Sequence, residues 1–187
     1  MSDKWKYKIL WGILLLFVIF SMYFLFPEKG EDHDQGFASW ELTRVEETED
    51  NVTRISYVND DGELTYAADK FYAVLVQNKD QEGRVLKEYY LDADEKPTDC
   101  YGYFGIFYEH REKEDIITYL DEKGNPTNTT SGFAVVVRSY NEKGQALDDM
   151  YYDAEMRPQM SIGGYYGIHR EYNKEGAASE IVYLDVD

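Results

Sequence analysis

The chain has 187 residues, room for one domain of ordinary size and something small, and 37 acidic against 19 basic residues give it a net charge of −18. A surface of that sign repels phosphate backbones, which argues against nucleic acid as a partner. A single cysteine, Cys100, forbids an intramolecular disulfide and reads as a buried small side chain in a turn; three histidines are too few for a dedicated metal cage.

Residues 1–8 form a basic tail carrying Lys4, Lys6 and Lys8, and residues 9–26, "ILWGILLLFVIFSMYFLF", follow without a charge. At about 1.5 Å per residue a helix of that length spans roughly 27 Å, close to the hydrocarbon thickness of a bilayer. The stretch predicts one transmembrane helix in contact with lipid, with Trp11, Phe17, Phe20 and Tyr23 as its anchoring aromatics. It is longer than the apolar segment of a cleaved signal peptide. Bulky Phe24, Leu25 and Phe26 also stand where a peptidase needs small residues, so the anchor is expected to be retained. The positive-inside rule leaves the amino terminus in the cytoplasm and places everything after Pro27 outside. Residues 27–35, "PEKGEDHDQ", are a short acidic linker. Without Lys4, Lys6, Lys8 and Asp3, residues 27–187 keep 16 bases against 36 acids, a net charge of −20. The outer domain is therefore expected to stand off an anionic membrane surface.

Residues 36–187 repeat. A Tyr-x-Asp or close variant places tyrosines at Tyr57, Tyr90, Tyr119, Tyr151 and Tyr183, in steps of 33, 29, 32 and 32. Pro97, Pro126 and Pro158 each follow such a tyrosine by seven residues. Phe71, Gly102, Gly132 and Gly164 open units that reach the tyrosine 19 residues later, or 17 in the third. Five units result: 36–70, 71–101, 102–131, 132–163 and 164–187.

The fourth unit is the plainest. "GFAVVVRSY" alternates as a strand, placing Ala134, Val136, Arg138 and Tyr140 on one face and Phe133, Val135 and Val137 on the other. "NEKG" reverses the chain on a glycine of positive φ, and "QALDDMYYD" returns as the second strand of a hairpin. The aspartate opens the next turn by bonding its own downstream amides, and the following proline interrupts the strand. No segment after Pro27 carries helical periodicity. The expected fold is all-β: tandem antiparallel β-hairpins of period about 32, stacked as a solenoid, an extended sheet or a closed barrel. The recurring tyrosines are expected at one height, packing hairpin on hairpin.

"EYYLDADEKP" at 88–97, with Tyr89, Tyr90, Leu91 and Asp92, resembles the aromatic hairpin repeat of Gram-positive cell-wall-binding (choline-binding) proteins, and Tyr119, Leu120, Asp121 and Gly124 match it in part. The units here are longer than that family's, and Trp40 is the one tryptophan after the apolar stretch, so the paired tryptophans of a choline cage are absent. The resemblance implies a β-repeat of the bacterial cell envelope.

Asp92, Asp121, Asp153 and Asp185 are copies of one turn position, which marks them as scaffold rather than catalyst. His110 and His169 sit in no recognisable Ser-His-Asp spacing, no phosphate loop occurs, and the chain reads as non-enzymatic. Alternating acids at Asp92, Asp94 and Asp121 offer a weak calcium pattern that turn chemistry alone also produces; no cofactor is expected. Tyr90, Tyr119, Tyr151, Tyr183, Tyr103 and Tyr165 are the candidate ligand-binding rings, since aromatic rows suit sugar and quaternary ammonium faces. The expected function is a membrane-anchored extracytoplasmic module binding an envelope polymer or glycan. The alternative is an accessory subunit of a membrane-protein complex for envelope polysaccharide synthesis or export, and a membrane-bound hydrolase ranks last.

Overall fold

The computed structural model describes residues 42–66 and 70–185. The expected membrane helix at 9–26, its basic tail and the acidic linker lie outside the described residues.

Among the described residues ten strands follow one another: β1 Thr43–Glu49, β2 Val52–Val58, β3 Val74–Lys79, β4 Val85–Leu91, β5 Gly105–His110, β6 Glu114–Leu120, β7 Val135–Tyr140, β8 Ala146–Tyr152, β9 Gly167–Tyr172 and β10 Ala178–Leu184. Each pairs antiparallel with its sequence neighbours, so the sheet order is the chain order. Of the three arrangements left open by the sequence, this is the extended sheet. Strands touch only their neighbours, and no helix occurs among the described residues. The pairs β1–β2, β3–β4, β5–β6, β7–β8 and β9–β10 are five hairpins, numbered 1 to 5 below.

The turns explain the regularity. Asp92 Oδ1 accepts the amides of Asp94 at 2.9 Å and Lys96 at 2.8 Å. Asp121 takes those of Lys123 and Asn125, and Asp153 those of Glu155 and Arg157. Asp80 and Asn141 do the same inside hairpins 2 and 4, so both classes of turn use one motif. Three residues after the capping Asx the backbone enters the left-handed region, at Gly83, Gly124 and Gly144 among others. Glu95 and Met156 hold that position without glycine, at φ 63° and 62°. The prolines do not simply end the strands. Pro97, Pro126 and Pro158 form single antiparallel bridges back to Leu91, Leu120 and Tyr152. The flanking residues make the hydrogen bonds, for example Thr98 N–H to Tyr90 O, so a residue without an N–H fits there.

The joints between hairpins alternate. β2–β3 and β6–β7 pair over five residues, whereas β4–β5 and β8–β9 pair over three. At each short joint a glycine faces a large residue: Gly105 faces Tyr89 and Gly167 faces Met150. A Cβ on either glycine would lie 2.6 Å from a backbone carbonyl oxygen of the neighbouring strand. Hairpins 2 and 4 are thus alike, and so are hairpins 3 and 5.

One face assignment needs correction. Phe133 packs with Val136 and Tyr151, not on the opposite face from Val136. Strand β7 begins only at Val135, so Phe133 arrives from the preceding loop, tied by Thr129 N–H to its carbonyl, and is not bound by period-two alternation.

Candidate functional site

Nine rings run across one face of the sheet. In order they are Tyr57, Tyr72, Tyr90, Tyr103, Tyr119, Phe133, Tyr151, Tyr165 and Tyr183. Their successive centroid distances are 6.1, 5.0, 5.8, 4.8, 6.1, 4.2, 5.9 and 4.6 Å. The five Tyr-x-Asp tyrosines (the first from the looser "SYVN") come from the second strand of each hairpin. The other four rings come from the residue two places before a hairpin's first strand. All six candidate ligand-binding tyrosines are in this row. Most face one another rather than solvent: Tyr90 is 6% exposed and Tyr151 7%, while terminal Tyr183 is 63% exposed. Tyr57, Tyr72 and Phe133 complete the row; Tyr72 and Phe133 directly follow Phe71 and Gly132 as Tyr103 and Tyr165 follow Gly102 and Gly164, which is the signal in the sequence that points to them. Burial, with a smaller repulsion from the neighbouring Tyr165 ring, pushes the Tyr151 hydroxyl up to about 12. Tyr90, Tyr103 and Tyr119 also move upward, burial again being the largest cause. These hydroxyls are therefore neutral hydrogen-bond donors, not bases or nucleophiles at neutral pH.

Beside the ladder runs a second row, two residues before each Tyr-x-Asp tyrosine. Hairpins 1, 3 and 5 place Ile55, Ile117 and Ile181 there; hairpins 2 and 4 place Glu88 and Asp149. Glu88 accepts from the Tyr90 hydroxyl at 2.7 Å, the Tyr108 hydroxyl at 3.3 Å and the Gln77 amide at 3.0 Å. Asp149, 4% exposed, is gripped by two guanidiniums, Arg138 at 2.6 and 3.0 Å and Arg170 at 2.6 Å. Burial alone would raise the Asp149 pKa, but the bonds to Arg138 and Arg170 outweigh it and hold the group below the usual carboxylate range.

Two of the three acids singled out for calcium bond turn amides. Asp92 and Asp121 cap amides as described, and Asp94 pairs with Lys96 Nζ at 3.1 Å. Among the described residues no group of three or more His, Cys, Asp and Glu side chains is placed to hold a metal ion. His169 bonds Asp148 through Nδ1 at 2.7 Å on the face away from the ladder. Cys100 is buried in the loop between β4 and β5, and burial raises its thiol pKa.

That opposite face also carries aromatic surface open to solvent. Tyr89 on β4 is 36% exposed and Phe107 on β5 43%. Gly105 leaves the space over which Tyr89 lies, since an added Cβ would sit 3.3 Å from the Tyr89 Cβ. Tyr89 borders a shallow groove of about 250 Å³ whose polar rim includes Lys87, Asp121 and Lys123. The pair "YY" at 89–90 thus splits between two tasks. Tyr90 packs in the ladder and Tyr89 faces outward.

No family model matches this chain, and no curated protein matches it either.

Proposed function

We propose that the chain is a non-enzymatic, single-pass membrane-anchored module of the cell envelope whose outer β-repeat domain binds a polymer or glycan. The contact surface in this reading is the Tyr89 and Phe107 platform rather than the ladder tyrosines. The observation that carries it is the pairing of exposed rings with a bare glycine: Gly105 flattens the surface beside Tyr89, and polar groups rim the groove. Stacked C–H or cationic faces of a glycan suit such a platform, with Lys87, Asp121 and Lys123 as hydrogen-bonding partners. The test is retention of the full chain, in detergent micelles, on purified cell-wall polysaccharide or peptidoglycan. Tyr89→Ala and Phe107→Ala should each weaken retention about tenfold, the equivalent of ~1.4 kcal/mol. Unchanged retention in both variants contradicts the platform.

A second reading, an accessory subunit of a membrane assembly, draws on a different observation. Strand β10 is one edge of the described sheet and exposes Ile181, Val182 and Tyr183. Apolar edges are uncommon on isolated domains and suit a protein partner. Purification in mild detergent with stoichiometric membrane partners, and no retention on glycan, supports this reading over the first.

A further inference from the structure

The two short joints between hairpins are closed by side chains that stand at equivalent positions. β4 and β5 lose register beyond Lys87 and Phe107, and β8 and β9 beyond Asp148 and His169. Past that point at the second joint, the Tyr172 hydroxyl donates to the Ala146 carbonyl at 2.6 Å. Past that point at the first joint, His110 Nε2 lies 2.8 Å from the Val85 carbonyl. Tyr172 and His110 both end the first strand of their hairpins, and Ala146 and Val85 both begin the strand before. A tyrosine strap and a histidine strap therefore do the same work in one molecule.

They differ in protonation. The second ring nitrogen of His110, Nδ1, lies 2.9 Å from Asp115 Oδ1, and Asp115 Oδ2 accepts the Tyr140 hydroxyl at 2.7 Å. A backbone carbonyl offers no proton, and neither does an ionised carboxylate. Both ring nitrogens must donate for both bonds to form, which requires the imidazolium. The ring is only 15% exposed and stacks on Tyr108 at 6.0 Å with planes 5° apart. We propose that the joint between hairpins 2 and 3 is a pH-sensitive latch, held closed by the His110 imidazolium and released when that ring loses a proton. On release either Val85 O or Asp115 loses its donor, and the proton passes to solvent.

The surroundings support the sign. Burial pulls the His110 pKa down, yet the bond to Asp115, the bond to the Val85 carbonyl and the Asp115 charge together raise it above the ordinary histidine value. Arg84, from the turn between β3 and β4, opposes them. Tyr108 on the same strand and Tyr140 on β7 are neutral, and Arg138 stands across from Asp115 in the register. A raised folded pKa means the latch is fully closed below about pH 6.5 and opens as pH rises through the folded value.

Amide hydrogen exchange at Glu88 and Ile106, which face each other across this joint, reads the latch directly. The full chain in detergent micelles is followed from pH 6 to 9, each rate corrected for intrinsic exchange. Wild-type protection should fall with rising pH, by about tenfold in total for each unit by which the folded pKa exceeds the free one. His110→Tyr copies the strap of the other joint and should flatten the profile, with His33 and His169 present in both proteins. A flat wild-type profile, or the same slope in His110→Tyr, overturns the proposal. If His110→Tyr does not fold, ¹⁵N spectra of the wild-type His110 ring decide. Protons on both nitrogens at pH 6, one lost on the alkaline side, support the latch; a neutral ring at pH 6 overturns it.

Discussion

Two residues break the turn rule and two arginines depend on one acid. Glu95 and Met156 occupy the left-handed position that glycine fills in the equivalent turns, a conformation that costs an ordinary residue roughly 1–2 kcal/mol. Met156 is exposed, so Met156→Gly should raise unfolding stability by about 1 kcal/mol in a denaturant titration. Glu95→Gly should gain less, because it also removes an ion pair with Arg54. Asp149 works in the other direction. Asp149→Asn leaves Arg138 and Arg170 without their counter-charge, and a loss of about 3 kcal/mol is expected. Because the folded pKa of Asp149 is depressed, its contribution is complete above the ordinary carboxylate value, about pH 4. It disappears as pH falls through the lower folded value. Stability measured against pH should therefore lose part of its acid limb in Asp149→Asn.

At the scale of the hairpin, the alternation of long and short joints depends on two glycines. Gly167→Ala would bring a Cβ within 2.6 Å of the Asp149 carbonyl oxygen and 2.7 Å of the Met150 sulfur. The thioether can move, but the carbonyl belongs to a paired strand. A cost of about 1–3 kcal/mol is expected by thermal or chemical unfolding. By contrast Gly144, whose Cβ would meet nothing within 4 Å, suffers only from its φ of 75°, so Gly144→Ala should cost about 1 kcal/mol. The hairpins themselves were legible in the sequence. An Asx followed three residues later by glycine, between stretches of alternating polarity, carries its own mechanism, and the phase of Tyr, Asp and Pro gave the count of units. The two-hairpin alternation was not legible from a period near 32, which treats all units as copies. Its signals were present in Gly105 and Gly167 within strands, and in Glu88 and Asp149 where other units place isoleucine. The outward turn of Tyr89 was hidden for a different reason. Two adjacent tyrosines look alike until register assigns them to opposite faces.

Across the whole molecule, five hairpins that are marginal alone share one continuous row of rings. The two edges of the sheet are unlike. β1 carries Glu46, Glu47 and Glu49, which discourage strand addition, whereas β10 exposes apolar residues. The proposed anchor at 9–26 predicts that the full chain enters the detergent phase on phase separation, and that a chain beginning at residue 36 stays in the aqueous phase. Recovery of both in the aqueous phase contradicts the anchor. The ladder answers why Tyr-x-Asp recurs: the ring packs between hairpins, and at Asp92, Asp121 and Asp153 the acid closes a turn. Replacing one ladder tyrosine at a time by alanine tests this most directly, with unfolding free energy and glycan retention measured on each variant. Tyr90→Ala, Tyr119→Ala and Tyr151→Ala should each cost about 3–5 kcal/mol, and Tyr183→Ala, exposed at the end of the row, less than about 1 kcal/mol. Interior variants that keep full stability but lose glycan retention would contradict an architectural role for the row.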